Sequence, residues 1–234
     1  MGLAPTAAVP VADVEHALAA HGLHVRGGFV AAAGDELPRV AGTAPARAVL
    51  LVGNVGSSLW EAFRAAPELH DGRPDPLDRW SRRVGDDTAG RVGALAVYPF
   101  GGPPHYPFQR WARRAEALQP SPIGLLMHPD HGLWHAYRFA LLLAAVPPDL
   151  AAGPVRPSPC TSCVERPCLD ACPVAAFGAR GYDVAACASL LRAQPGGACA
   201  THGCLARRAC PHGARARYRP EHARFHMRAF IDAR

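Results

Sequence analysis

The residues with the most distinctive chemistry are eight cysteines, all of which lie after residue 159 of the 234-residue chain. The first four are spaced C-x2-C-x4-C-x3-C, and Pro173 directly follows the fourth. Thiolates this close together repel one another and need a cation among them, and both iron–sulfur clusters and zinc suit an all-sulfur site. The C-x3-C-P ending favours iron–sulfur chemistry.

A crossed pair of clusters accounts for all of the cysteines. In two-cluster ferredoxins the cysteine before the proline ligates the other cluster, so a second set of ligands is required. The second half of the pattern, C-x11-C-x4-C-x5-C-P, supplies it, although its spacing is irregular. The sequence therefore predicts two [4Fe–4S] clusters. The predicted ligands are Cys160, Cys163, Cys168 and Cys210 for cluster 1, and Cys172, Cys187, Cys199 and Cys204 for cluster 2.

Three other interpretations of the cysteines remain open. Disulfides need an oxidising compartment, whereas residues 1–20 show no export signal and we expect a cytoplasmic protein. Two structural zinc sites usually contain paired C-x2-C motifs, and this chain has one such pair. The third alternative is a single cluster together with four ordinary buried cysteines.

The positive charge is concentrated at the C-terminal end. Residues 207–234 contain eight arginines against Glu221 and Asp232, which equals the whole formal net charge of +6. A solvated helical tail is one interpretation, and attraction of an acidic redox partner is another. We expect no nucleic-acid partner because no recognised binding motif accompanies the arginines. We also expect no membrane partner, because no apolar stretch is long enough to span a bilayer.

The distribution of cysteine, proline and charge predicts three parts. Residues 1–155 are numerous enough to bury a core of their own. Residues 156–215 would form a small module held together by its metal centres, and residues 216–234 would form a basic tail. The proline-rich stretch at 146–159 is expected to be a stiff linker.

Apolar runs broken by glycine and proline predict both helices and strands in the first part, which indicates an α/β (α+β) fold. Asp13 is a candidate helix cap and Gly22 a candidate helix stop. The predicted helices are Asp13–His24, Leu59–Ala66, one that opens at Asp75 and Pro76, and Phe108–Leu118; the predicted strands are Ala48–Val52 and Ala94–Val97.

The segment GLLMHPDHGLWHAYRFALLL carries the candidate site of the first part. His128, His131 and His135 have spacings that could bind a metal, but a proline and a glycine interrupt the segment and no carboxylate or cysteine completes a clean ligand set. Arg138 lies inside an apolar run. Its charge therefore needs a carboxylate, an anionic ligand or a domain interface as a partner.

This segment, from His128 to Arg138, followed by an apolar run and a proline-rich linker, resembles the corresponding part of CblC-type cobalamin-processing proteins. The DPLD sequence at 75–78 also has a counterpart there. The H-P-x-x-G-x-W turn followed by a linker and a two-cluster module resembles epoxyqueuosine reductases and reductive dehalogenases, in which Cys187 would match an isolated cysteine. The resemblance extends over residues 45–212 and is most specific in these two segments.

The resemblance implies a nitroreductase-like domain that binds cobalamin, followed by a ferredoxin-like module whose clusters reduce the cobalt. Arg138 matches an arginine that CblC-type proteins use near their thiol substrate. Tyr98 stands where epoxyqueuosine reductases carry an acidic proton donor, and a tyrosine can also donate a proton. Tyr98 and Arg138 are thus the predicted catalytic residues, and His128, His131 and Trp134 the predicted cofactor-binding residues.

The predicted function is an iron–sulfur oxidoreductase that passes single electrons from reduced ferredoxin or flavodoxin, through two clusters, to a corrinoid. One alternative is a ferredoxin-like electron carrier that binds no corrinoid. Another is an interaction protein stabilised by zinc.

Overall fold

The computed structural model describes residues 8–42, 44–151, 153 and 156–233. Parts of the predicted linker (152, 154 and 155), the first seven residues and Arg234 of the predicted tail lie outside this description. The helices are α1 Val11–Ala19, α2 Trp60–Arg64, α3 Pro76–Val92, α4 Phe108–Ala115, α5 Pro167–Asp170, α6 Val184–Ala193, α7 Ala198–His202, α8 Leu205–Ala209 and α9 Pro220–Asp232. The strands are β1 His24–Val30, β2 Ala48–Val55, β3 Leu95–Val97, β4 Gln119–Pro120, β5 Leu126–Met127, β6 His135–Leu143, β7 Phe177–Gly178 and β8 Gly181–Tyr182. This mixture confirms the predicted combination of helix and strand.

The chain divides into two compact units, which alternate along the sequence. The first unit contains residues 1–54, 58–116 and 136–155, and the second contains residues 55–57, 117–135 and 156–234. The second unit therefore combines the cysteine-rich region with the histidine segment, which lies far from it in sequence.

The first unit is built on a sheet with the strand order β1-β2-β6-β3. β1 pairs with β2 and β3 pairs with β6, both in antiparallel orientation. β2 is buried along nearly its whole length, as its run of Val and Leu predicts. Gly53 is required in this strand, because a Cβ there would lie 1.8 Å from the backbone oxygen of Ala136. Aromatic side chains complete the core, with the rings of Phe63 and Trp80 centred 5.7 Å apart.

Most predicted elements of the first unit exist, but their ends differ. The helix expected over Asp13–His24 stops at Ala19, and His24 instead begins β1. Asp13 does not cap this helix. The carboxylate of Asp149 accepts hydrogen bonds from the backbone N–H of Val11 (2.7 Å) and of Ala12 (3.2 Å), so a distant residue satisfies the free donors of the first turn.

The remaining differences are small. Strand β2 continues three residues beyond the predicted Val52, and α4 ends at Ala115 rather than at Leu118. Helix α3 begins at Pro76, as predicted, because proline already has the backbone angle that the first helical turn needs.

The second unit consists mainly of short elements. β4 and β5 form one small hairpin, and β7 and β8 form another. Helix α9 packs against α6 and α7, and α5 packs against α8. The core of the second unit includes Ile123, Met127 and Leu133 together with two of the cysteines. Among the described residues of the chain, no helix combines the length and the apolar character needed to cross a membrane.

Candidate functional site

One group of four cysteine side chains surrounds a cavity in the second unit. Cys160 lies in a short 3-10 turn, and the Ser158 side chain accepts a hydrogen bond from its backbone N–H (3.2 Å). Cys168 lies in α5, and Cys210 follows the last residue of α8. The packing of α5 on α8 therefore brings cysteines from two distant parts of the sequence together. The cavity is lined by Ser121, Pro122, Met127, Leu133, Pro159, Cys160, Cys163, Arg166, Pro167, Cys168, Cys210, Pro211 and His212.

These thiols, which line the same cavity, also influence one another's pKa. Burial raises the pKa of the Cys168 thiol, and negative charge on Cys210, Cys160 and Cys163 raises it further. Burial also raises the pKa of Cys210, with Cys160 and Cys163 acting in the same direction. The set that the spacing assigns to cluster 1 is thus a set of neighbours, whereas their binding of iron stays a prediction.

A second group of cysteines lies around α6 and α7. Cys187 is in α6, Cys199 is in α7, and Cys204 precedes α8. Cys172 directly follows the turn after α5, and its sulfur accepts a hydrogen bond from the backbone N–H of Ala176 (3.3 Å). These are the residues that the spacing assigns to cluster 2.

The thiols of this second group also influence one another. Burial raises the pKa of Cys199, and Cys187 and Cys172 add to the shift. Burial raises the pKa of Cys204 as well, with Cys199 and Cys187 contributing. Burial raises the pKa of the Tyr182 hydroxyl, and the Cys187 thiol adds to the shift. The structure therefore places a tyrosine beside this group, which its sequence position did not suggest.

All eight cysteines lie within the described residues, and each is free rather than disulfide-bonded. Within those residues, no group of three or more histidine, cysteine, aspartate or glutamate side chains is arranged to hold a metal ion. The cavity among the first four thiols is small, about 20 Å³. The cysteines are thus gathered into two groups, neither of which has the arrangement of a formed metal site among the described residues.

The histidine segment forms a tight turn in the second unit. His128 and Gly132 exchange backbone hydrogen bonds of 2.8 and 2.9 Å, and Nδ1 of His128 accepts from the N–H of Asp130 and of His131. The rings of His128 and His131 stack with their centroids 4.4 Å apart. The N–H at Nε2 of His135 donates to the carbonyl of Leu126 (3.0 Å). The turn is therefore held by its own imidazole groups.

A close backbone crossing fixes this turn against the chain that follows Cys210. Gly132 has a φ of +59°, and a Cβ there would lie 2.2 Å from the backbone oxygen of His212. Gly213 has a φ of +69°, and a Cβ there would lie 2.2 Å from the backbone oxygen of His131. Both positions require glycine for their backbone angle and for space.

Trp134 is buried beyond this turn. The guanidinium carbon of Arg207 lies 4.4 Å from the centroid of the Trp134 ring and 4.4 Å from that of Tyr218. Nε of Arg207 also donates to the carbonyl of Leu133 (3.0 Å). In the structure, then, the predicted cofactor-binding tryptophan packs against an arginine of the basic C-terminal region.

The predicted catalytic residues both lie in the first unit, beside α3. The hydroxyl of Tyr98 donates to Asp86 (2.6 Å) and to the carbonyl of Arg82 (3.0 Å). Burial and the nearby Asp86 raise the pKa of Tyr98 strongly, so that the hydroxyl keeps its proton at neutral pH. Gly85 leaves room for this hydroxyl, which would lie 2.6 Å from a Cβ at that position.

Arg138 has the carboxylate partner that its position in an apolar run requires. Its Nη2 donates to Asp78 (2.5 Å), and its Nε donates to the hydroxyl of Ser81 (3.0 Å). The centroid of the Phe100 ring lies 5.8 Å from the guanidinium carbon of Arg138. The polar residues of α3 that serve Tyr98 and Arg138 recur at intervals of three and four residues, a helical spacing that could have revealed them in the sequence.

A further buried network in the first unit had no signal in the sequence. Arg26, which is 3% exposed, donates to Glu116 (3.1 Å) and to the carbonyl of Asn54 (3.0 Å). The hydroxyl of Tyr137 donates to the other oxygen of Glu116. These residues are more than twenty positions apart in the sequence, so no spacing pattern could connect them.

Comparison with solved structures gives an informative likeness of fold. No protein-family model and no curated protein matches this sequence. Among solved structures, the chain is similar to a C. elegans B12-trafficking protein CblC, described as a homologue of human MMACHC. The two are 14% identical, with a TM-score of 0.55 over 94% of each chain. The chain therefore shares the fold of that protein along nearly its whole length.

Proposed function

We propose that this protein processes a corrinoid and uses two [4Fe–4S] clusters to deliver electrons to it. The observation that carries the proposal is the fold, which agrees over 94% of both chains with that of a protein that traffics vitamin B12. The nitroreductase-like interpretation of residues 1–155 and the ferredoxin-like interpretation of residues 156–215 belong to the same proposal.

The donor chemistry of the two cysteine groups fits iron–sulfur clusters. Each group supplies four thiols, and iron–sulfur clusters are held by four cysteine sulfurs. A cluster bound to the first group would lie in the cavity that these thiols line, and it would widen that cavity beyond its volume of about 20 Å³. When bound, such clusters accept and release single electrons at potentials that their surroundings set.

The corrinoid would be the substrate, and the chain's own groups would bind and orient it. Tyr98 is the proposed proton donor, and its hydroxyl hydrogen, which Asp86 accepts here, would have to turn from Asp86 to the substrate. Arg138 is held in one orientation by Asp78 and Ser81, so it could contact a substrate anion without losing its own support. His128, His131 and Trp134 are proposed to contact the corrinoid.

Corrinoid binding can be tested by titrating the anaerobically reconstituted protein with hydroxocobalamin and recording visible difference spectra. We expect a saturable shift of the corrinoid bands towards the base-off form. His131→Ala is expected to weaken the affinity by about tenfold, the loss of one good polar contact. His16→Ala, in α1 of the first unit, is the matched control and should leave the affinity unchanged.

The absence of any shift at roughly tens of micromolar would contradict the corrinoid proposal. The remaining candidate would then be an electron carrier with two clusters and no corrinoid. Equal weakening by both histidine variants would instead contradict the assignment of His131.

The electron donor is proposed to be an acidic ferredoxin or flavodoxin that docks on the arginine-rich C-terminal region. The arginines at 215, 217, 219, 224 and 228 are exposed. Exposed charges of one sign raise the association rate of an oppositely charged partner, and salt screens this effect.

We expect the rate of reduction by reduced flavodoxin to fall by about tenfold between low and high salt. The double variant Arg215→Gln and Arg224→Gln should lower the low-salt rate and flatten its salt dependence. Arg110→Gln combined with Arg113→Gln removes the same charge from α4 and should change neither. A rate independent of salt in the unsubstituted protein would rule out this docking surface.

A further inference from the structure

The side chain of Ser121 is an unexplained polar group at the first cysteine cavity. Ser121 is 8% exposed and lines the cavity together with Cys160, Cys163, Cys168 and Cys210. Among the residues that the structure describes, its hydroxyl oxygen has no hydrogen-bond partner. A buried hydroxyl without a partner is costly and uncommon in native structures, so it calls for a specific explanation.

The backbone around Ser121 is fully engaged and holds this hydroxyl in place. Its N–H donates to the carbonyl of Leu125 (2.9 Å), and its carbonyl accepts from the N–H of Gly124 (3.0 Å). These bonds close the turn between β4 and β5. Ser121 is therefore anchored by a structure outside the cysteine loops, and its unbonded hydroxyl remains at the cavity wall.

We infer that the Ser121 hydroxyl donates a hydrogen bond to a sulfur of the cluster held by Cys160, Cys163, Cys168 and Cys210. This inference rests on the proposed function. It assigns Ser121 a role in setting the reduction potential of that cluster alone. A water molecule is the competing partner, since the cavity of about 20 Å³ has room for roughly one.

The sign of the effect follows from charge. Reduction adds an electron to the cluster and makes its sulfurs better hydrogen-bond acceptors, so a donated hydrogen bond stabilises the reduced form more. The hydroxyl therefore raises the potential of the first cluster. The effect concerns the first cluster alone, because Ser121 lines the cavity of the first cysteine group.

The test is a redox titration of the reconstituted full-length protein, followed by electron paramagnetic resonance. The signals of the two clusters are assigned with a Cys199→Ala variant, which is expected to lack the second one. In Ser121→Ala, the ratio of reduced to oxidised first cluster at a given potential should fall by about tenfold, equivalent to about 59 mV for one electron. The second cluster should not change.

Two variants separate the hydroxyl from general disturbance of the site. Ser121→Thr keeps the hydroxyl and should keep the potential within a small fraction of the alanine shift. Ser162→Ala is the matched control. Ser162 directly precedes Cys163 in the sequence, and its hydroxyl already donates to the carbonyl of Pro159 (3.3 Å), so its removal should not shift the potential of the first cluster.

The outcomes distinguish the inference from the function on which it rests. If the unsubstituted protein binds no cluster, both are overturned. If both clusters form and Ser121→Ala leaves their potentials unchanged, the hydroxyl bonds only to water and the inference alone fails. Equal shifts of both clusters, or a shift in Ser162→Ala as large as in Ser121→Ala, would likewise overturn it.

Discussion

Replacing Cys168 and Cys210 together with alanine is expected to remove no more iron than replacing either one alone, about half of the total. The reason is that both thiols belong to one group of neighbours, although they lie far apart in the sequence. If the loss of one cysteine ligand already prevents the cluster from binding, the loss of a second ligand of the same cluster removes no further iron. Iron and sulfide analysis after anaerobic reconstitution measures this directly.

The matched control is the double variant of Cys168 and Cys172, which are close in sequence but lie in different groups. It should lose nearly all of the iron, because each substitution removes a ligand of a different cluster. The crossed assignment is wrong if the Cys168 and Cys210 pair loses as much iron as this control. A colourless protein that binds zinc in place of iron would instead favour the zinc-stabilised alternative.

Gly132→Ala is expected to destabilise the protein by about 2–5 kcal/mol. The left-handed backbone angle costs a non-glycine residue about 1–2 kcal/mol, and forcing a methyl group against fixed neighbours adds about 1–3 kcal/mol. The fixed neighbour here is the backbone of His212, 2.2 Å from the position of the added carbon. Chemical denaturation followed by circular dichroism gives the change in the free energy of unfolding.

Gly124→Ala separates the two costs. Gly124 also has a positive φ, of +78°, but no atom lies within 4 Å of an added Cβ. This variant should lose only about 1–2 kcal/mol, the cost of the backbone angle. Equal losses at the two positions would show that the crossing with His212 does not constrain the turn.

The sequence was most informative where residue type alone restricts the chemistry. Arg138 illustrates this: a guanidinium in an apolar run must have a partner, and the structure supplies Asp78. The sequence could not choose this partner, because Asp78 is 60 residues away and the choice depends on how α3 packs on the sheet. The same limit explains why Asp149, rather than Asp13, satisfies the first turn of α1.

For the cysteines, the spacing in the sequence predicts how the thiols are grouped, but it does not predict which other residues line the cavity. Their spacing predicts two sets, and the structure places the members of the first set around one cavity, whereas the ligand assignment itself stays a prediction. No spacing pattern indicated that residues 117–135 would contribute to the first cysteine cavity. Ser121 and Met127 line the first cavity because β4 and β5 pack there, and only long-range contacts place them.

The alternation of the two units along the chain has a consequence for the order of folding during synthesis. The core of the second unit combines Ile123, Met127 and Leu133 with Cys168, Ala206 and Cys210. The early part of that core leaves the ribosome long before its partners, whereas β6, which follows it, belongs largely to the sheet of the first unit. Residues 117–135 therefore cannot complete their packing until Cys210 has been made. Late synthesis of the final helices would prolong the exposure of this segment, and with it the chance of proteolysis or aggregation of the nascent chain.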